Sequence, residues 1–472
     1  MLRRGSVLLG CTALVVAGHL LGPGQAIADN SDSCHNTGRA WRYVVLFDTG
    51  TPERAATTEI EAACGTTTVY YPEIAVAVAT SASPRFADVF GPDRAFSAEK
   101  QRHAEGRDAA AQRTVSAQGT GVSPGDRTGE QWDMRAIDAD IARAVDPGRR
   151  DVVVGILDSG VDAAHPDLAG ALDPDLSAGA SRVLPTLRPR RGHRPAPPRH
   201  PCGRHRGGGR RRPRCHRGGA GVRIASVRVV GDDGYVDPEA AVCGFVWAGR
   251  QGLELTNSSY SVAPSGVSCA TGKGRTVVHE ALARAVGFAD RSGTLNVAAA
   301  TNDGLELTPL PRRGSRELSR ACAALPAALR DTVTVSAVGR DGMKAGYSSY
   351  GLGVIDLAAP GGAGDDCVLS TVPGGYDELC GTSMAAPHVT GVAALLASRL
   401  PGSSPPICGH GSPNRPTPSR ARPITTSPAT AGRTPTAPAT RATTASTATA
   451  WWTPRPRGPQ RSRRPANLRA VP

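Results

Sequence analysis

Two long stretches of this 472-residue chain contain no acidic residue. Residues 181–220 hold 13 arginines and residues 403–472 hold 11, without one Asp or Glu. They account for 24 of the 55 basic residues and none of the 41 acidic ones, which leaves the remainder at a net charge of −10. The formal charge of +14 therefore belongs to two blocks and does not make this a uniformly basic protein seeking an acidic partner. The first block also lacks aromatic side chains on which bases could stack and carries no nucleic-acid-binding motif. Beyond the first thirty residues no run is long and apolar enough to cross a bilayer. No cysteines fall at zinc spacing. Nucleic-acid and membrane partners are thus not expected, and neither is a cofactor; structural calcium is left open.

What is present begins with an export signature. Arg3 and Arg4 precede an apolar stretch, and Ala26-Ile27-Ala28 fits a small-residue cleavage site, so residues 1–28 read as a signal peptide. A membrane anchor is the alternative, but the apolar run is too short to span comfortably. Secretion to an oxidising, extracellular setting admits disulfides. Cys34 with Cys64, Cys243 with Cys269, and Cys367 with Cys380 are candidate pairs; spacing leaves the connectivity open.

Residues 42–99 read as a small unit of two strands, YVVLF and VAVAV, around the helix TPERAATTEIEAAC. Residues 100–130 are polar and rich in Gly, Ala and Ser, as a linker is. From residue 131 to 400 buried-type strands alternate with helices: DVVVGILD, RIASVRVV, LELTN, TLNVAAA, TVTVSAV and GVIDLAA are the strands. Asp237 and Pro238 open a helix with N-cap and first-turn chemistry that runs to about Arg250. VVHEALARAVGFADRSG is a second helix, closed by Gly293, and SMAAPHVTGVAALLASRL a third. This alternation predicts an α/β fold, a mostly parallel sheet with helices on both faces. Function then gathers at the carboxyl ends of the strands. Residues 401–472 are rich in Pro, Thr, Ala and Arg, have no capacity to bury a core, and read as a disordered tail.

Three segments carry chemistry, and all fall at element ends. In DSGVDAAHPDL, Asp158 closes a buried strand, where a carboxylate can orient a histidine. In NVAAATNDG, Asn302 follows another strand, where its amide can donate to an oxyanion. In GTSMAAPHVTGVAALL, Ser383 stands at the mouth of a helix whose N–H groups and dipole favour negative charge. Taken singly, each has a bland counterpart: a strand-end turn, an Asn-Asp-Gly turn and a helix N-cap.

Together these motifs resemble those of the subtilisin-like serine proteases, the subtilase family, in the order Asp, Asn, Ser. The resemblance spans residue 131 to about 400, except the arginine block, and YSSYGLGVIDLAAPG is similar to the stretch before the family's serine. It implies that Asp158 is the orienting acid, Ser383 the nucleophile and Asn302 the oxyanion donor. It also implies that LTNSSYS holds the substrate-pairing strand, with Leu255, Thr256, Asn257, Ser258 and Ser259 as substrate-binding residues. Residues 42–99 become a small α+β inhibitory propeptide domain, and the expected partners are protein or peptide substrates and the chain's own propeptide, on a monomer. Thr301 departs from the pattern, since the family has Gly there, and its bulk is expected to crowd the oxyanion hole.

The catalytic histidine is the larger departure. The family's H-G-T-H-V-A-G should fall between Asp158 and RIASVRVV, and it is absent. His193, His200, His205 and His216 lie in that window among Pro, Gly and Arg with no helical pattern, unsuited to the rigid placement a general base needs. The resemblance gives His165 and His388 structural places, and His279 sits on a predicted helix. Without a base Ser383 keeps a high pKa and is a poor nucleophile. Codon degeneracy offers an origin. Pro198 to His205 read one base out of step admits H-G-T-H-V-A-G-T, and Arg217 to Ala220 admits G-V-A-P. Thr447 to Thr453 under the other shift admits G-H-G-M-V-D, similar to the family's closing motif. The expected function is a secreted zymogen of a serine endopeptidase, impaired in this chain. The alternatives are an inactive peptide-binding relative and, ranked last, a nucleic-acid binder.

Overall fold

The computed structural model describes Cys34 and residues 38–106, 126–179, 221–231, 234–262, 267–268, 274–307 and 323–401. All of these except Cys34 belong to one compact unit that begins at Gly38. Residues 1–33, most of the expected linker, the arginine block from 180 to 220 and the tail from 402 lie outside the described residues.

The N-terminal part contains β1 (Trp41–Leu46), α1 (Glu53–Ala62), β2 (Thr66–Tyr71), β3 (Val76–Ser81), α2 (Phe86–Phe90), β4 (Ala95–Phe96) and α3 (Ala98–Ala104). Its strands form an antiparallel sheet in the order β2-β3-β1-β4. The period-2 alternation of a strand divides its side chains between two cores. Tyr43 and Val45 of β1, with Ala77 and Ala79 of β3, face Ile60, Phe86 and Phe90 of the unit's own helices. Val44 and Leu46, with Val76 and Val78, face away and join a larger core described below. The unit extends past residue 99, because α3 continues to Ala104 with Ser97 capping it through Lys100 N–H (3.1 Å).

The larger part follows with α4 (Trp132–Ala136), α5 (Ala139–Val145), β5 (Val153–Asp158), β6 (Ala178–Gly179), β7 (Arg223–Arg228), α6 (Pro238–Gln251) and β8 (Leu255–Ser258). Next come β9 (Val267–Ser268), α7 (Arg275–Arg291), β10 (Leu295–Ala299), β11 (Ala323–Ala324), β12 (Val333–Val338), β13 (Leu357–Pro360), the hairpin β14 (Val368–Val372) and β15 (Gly375–Leu379), and α8 (Thr382–Arg399). Seven strands form one parallel sheet in the order β13-β12-β10-β8-β5-β7-β6. The α/β fold expected from the alternation is therefore present.

Helices cover both faces. Ala385, Ala386 and Val389 of α8 pack on Val297 and Val335, and Ala393 and Ala394 on Val154 and Leu255. On the opposite face Leu157 and Val227 meet α6 and α7 through Val242, Phe245, Val246, Val278, Leu282 and Val286. The same cluster takes in Val44, Leu46, Val76 and Val78 of the N-terminal sheet. A fully buried aliphatic side chain is worth roughly 1.5–3 kcal/mol, so this shared apolar face dominates the attachment of the two parts.

Polar contacts give that attachment its register. Arg284 Nη1 of α7 donates to the carbonyls of Phe47 (2.8 Å) and Ile74 (3.2 Å). Arg250 pairs with Glu73 through two bonds of 2.9 Å. At the start of α6, Asp237 accepts from Arg102 (2.6 Å) and Arg42 (3.1 Å), and Arg42 lies 3.3 Å from Glu239. Asp237 occupies the N-cap position as expected, but its side chain makes no cap bond; the two arginines have drawn the carboxylate away.

The cysteines divide. Cys367 and Cys380 form a disulfide across the β14–β15 hairpin. Cys34 and Cys64 are each disulfide-bonded. The pairing of Cys243 with Cys269 is not made: Cys243 is a free thiol, buried on α6 against the Tyr71 hydroxyl, a position that faces the N-terminal sheet.

Candidate active site

Three neighbouring parallel strands, β10, β8 and β5, end on the same edge of the sheet. Asp158 is the last residue of β5, Ser259 follows β8, and Asn302 stands three residues past β10. α8 starts against this edge and presents Ser383 in its first turn.

Ser383 and Ser259 are joined reciprocally. The Ser383 hydroxyl donates to the Ser259 carbonyl (3.1 Å), and the Ser259 hydroxyl donates to the Ser383 carbonyl (3.0 Å). Proline at position 387 explains the second bond. The Ser383 carbonyl would ordinarily accept from the N–H four residues on, and Pro387 has none. The chain of bonds continues from Asn257 Nδ2 to Ser259 Oγ (2.9 Å) and from Thr390 Oγ1 to Asn257 Oδ1 (3.0 Å), which ties β8 back to α8.

Asn302 is oriented from the same helix. Its Oδ1 accepts from the Thr382 N–H (2.9 Å) and the Thr382 hydroxyl (2.8 Å). With the oxygen so engaged, the NH2 end is the one left for another acceptor, and Nδ2 lies 3.3 Å from where a Cβ on Gly381 would stand. A fixed amide donor held this way is able to stabilise negative charge developing on an acceptor placed close to it. Thr382 carries no signal of its own in the sequence beyond its place between Gly381 and Ser383.

Asp158 accepts from the Ser159 N–H (2.6 Å), and its carbonyl accepts from Val229 N–H (2.9 Å), which fixes the strand end against β7. Burial pushes the Asp158 carboxyl above its ordinary pKa, against the downward pull of the Ser159 N–H and hydroxyl.

The residues assigned to substrate binding divide in two. Leu255, Thr256, Asn257 and Ser258 are all buried and paired on both edges, to β10 on one side and β5 on the other. Their backbone has no free edge for a peptide to pair with, and the Thr256 hydroxyl donates to Asn296 Oδ1 (2.8 Å). Of the assigned residues only Ser259 lies beyond the doubly paired segment.

The histidines of the window, His193, His200, His205 and His216, lie outside the described residues. His165 is buried: its Nδ1 accepts from Asp167 N–H (3.2 Å) and its Nε2 donates to the Gly375 carbonyl (2.9 Å). His388 is wedged between the Met384 carbonyl (2.7 Å) and Asp133 Oδ2 (3.0 Å). Both rings are fully committed to holding the fold. His279 sits on α7, and His103 meets Trp41 of the N-terminal sheet in a tilted ring contact with centroids 5.0 Å apart.

Known proteins resemble this chain in sequence and in fold. Residues 149–435 match the subtilase family. Alkaline elastase YaB from Bacillus sp. (strain YaB) is 33% identical over 184 residues, 39% of this chain and 40% of that protein. Subtilisin BL from Lederbergia lenta is 31% identical over 261 residues, 54% of this chain and 78% of that protein. Thermitase from Thermoactinomyces vulgaris is 33% identical over 177 residues, 37% of this chain and 52% of that protein. The chain thus spans about half or less of the length of two of these relatives. Among solved structures, the epidermin leader peptide processing serine protease from Staphylococcus aureus superimposes with a TM-score of 0.51 at 18% identity, covering 77% of this chain and 89% of that one. Its S393A mutant gives 0.54 at 20% identity, covering 76% and 89%. That likeness bears on the fold alone. With the family match over more than half its length, the chain belongs to the subtilase family of serine proteases.

Proposed function

We propose that the chain is a secreted serine endopeptidase, made as a zymogen, that cleaves peptide bonds through an acyl-enzyme on Ser383. In that reading the Ser383 oxygen adds to the scissile carbonyl and its proton passes to a base. The amine leaves with that proton, and water then releases the acyl group. Asn302 Nδ2 stabilises the oxyanion, Asp158 orients the base, and residues 42–99 are the inhibitory propeptide. Residues 1–28 are the export signal. Protein or peptide substrates follow from the family. The observation that carries the reading is Ser383 in the first turn of α8 beside an Asn302 whose amide is locked by Thr382.

The base is where this chain departs, and the departure favours an impaired enzyme. The Ser383 hydroxyl donates to the Ser259 carbonyl, and the described histidines of the larger part's motifs, His165 and His388, are bonded elsewhere. The second reading, a peptide-binding pseudoprotease, rests on that same bond. Purified full-length protein, compared with Ser383→Ala, separates the two. Self-processing and hydrolysis of a casein-type substrate above the S383A level support the enzyme. A folded but inert protein that still binds peptide inhibitors sinks it in favour of the second. Resequencing the gene tests the origin of the loss: reads that confirm both frames, with no compensating base changes relative to close relatives, rule out a frameshift.

A further inference from the structure

Thr301, the residue before Asn302, has φ +81°. Among the described residues it is the one β-branched side chain in the left-handed region; Cys64, Ala75 and Asp138 are the other non-glycines there. A β-branched residue in that region is strained, and strain of this kind persists only where the surroundings impose it. Ser349 supplies the constraint. Its N–H donates to the Thr301 carbonyl (3.1 Å), and the two side-chain hydroxyls bond each other at 2.9 Å. Ser349 is itself fully buried, and its Oγ also accepts from Leu305 N–H (3.3 Å) on the far side of the turn. Before Thr301, Ala300 N–H is fixed to the Val335 carbonyl (2.9 Å) on the sheet. The backbone thus enters Asn302 from a clamped, strained residue, and the Asn302 side chain leaves toward Thr382.

We propose that Thr301 and Ser349 form a hydroxyl clamp that positions the Asn302 amide, doing by side-chain bonding what glycine would do by conformational freedom. Thr301 is then a positioning residue that acts through Asn302. The Thr301 hydroxyl points to Ser349, so its bulk is used to hold the turn and does not bear out the expected crowding of the oxyanion hole. The proposal rests on the reading of Asn302 as the oxyanion donor.

The clamp predicts a specific pattern of rescue. Ser349→Ala removes the hydroxyl partner and lets Thr301 relax from the left-handed region. T301V keeps the β-branched bulk without the hydroxyl and has the same effect by a second route, should S349A fold poorly. T301G/S349A restores the turn, because glycine holds φ +81° unaided. Two readouts on full-length protein are needed. In NMR, the Asn302 side-chain NH2 resonances should shift and exchange faster in S349A and T301V, and return in T301G/S349A. In residual hydrolysis of a peptide ester, corrected for S383A, kcat should fall about tenfold in the single variants with KM unchanged, and recover in the double variant. Asn302→Ala should cost about 10²–10³ in kcat. Unmoved Asn302 resonances in both single variants, or no recovery in the double, overturn the clamp. Normal hydrolysis by N302A with the resonances responding as stated overturns instead the oxyanion reading beneath it.

Discussion

Single residues decide what can approach what. Gly274, the N-cap of α7, has φ +83°, and a Cβ there would land on the Phe96 ring of the N-terminal sheet. Gly274→Ala therefore meets two penalties, the left-handed backbone and the ring. Unfolding in urea should show a loss of about 1–3 kcal/mol from the backbone alone, with more from the displaced Phe96. A variant as stable as the parent would mean that Phe96 moves aside freely. The sequence located residues whose place follows from their own element: Asp158, Asn302 and Ser383 lie at or just past the strand and helix ends where they are expected. It failed where a residue's role comes from a distant segment. Asp237 has the composition of an N-cap, yet Arg42 and Arg102, well over a hundred residues away, claim its carboxylate. Sequence proximity suggests Cys269 as the partner of Cys243, whereas the buried place of Cys243 on α6 is against Tyr71.

At the scale of elements, the start of α6 is a buried charge cluster between the two parts. Glu239 faces Arg42 of β1 and Asp237 beside it, and Glu99 and Arg102 of α3 close the group. Burial raises the Glu239 carboxyl to about 7, with Asp237 adding to the rise and Arg42 opposing it. A carboxyl whose folded pKa exceeds its unfolded value binds its proton more tightly when folded. Its contribution is complete below the ordinary value of 4.5 and is lost as pH rises through about 7. Glu239→Gln is neutral throughout, so the stability of the parent relative to E239Q should decline across that window by at most roughly 3–4 kcal/mol. Parallel urea-denaturation profiles for the two proteins would refute this. A second element-level constraint sits just before Ser383. The Cys367–Cys380 disulfide closes a loop of sequence separation 13 and ends one residue before Gly381. C367S/C380S should lose about 2–3 kcal/mol of unfolding free energy. The hairpin it spans, and β2 with its Thr-Thr-Thr-Val-Tyr-Tyr run, escaped the sequence reading. Both pair antiparallel outside the alternating strand-and-helix pattern that made the main sheet legible.

Over the whole molecule, the long-range pairings are unevenly distributed. Strand β5 pairs with β8 about a hundred residues later, Val154 against Leu255, whereas β2 and β3 pair through a turn of four residues. Parallel neighbours need long crossovers, and the entropy of closing those loops must be met before their contacts help. Pulse-labelled hydrogen exchange during refolding should therefore find the amides of β1 and β3 protected before those of β5 and β8; the reverse order would refute this. The alternating faces of β1 then acquire a meaning in time. Val45 and Tyr43 complete the early-forming unit, while Val44 and Leu46 are left as an apolar surface awaiting α6 and α7. On that order, the slow search for the parallel sheet begins with a docking template already standing for the helices that cover one of its faces.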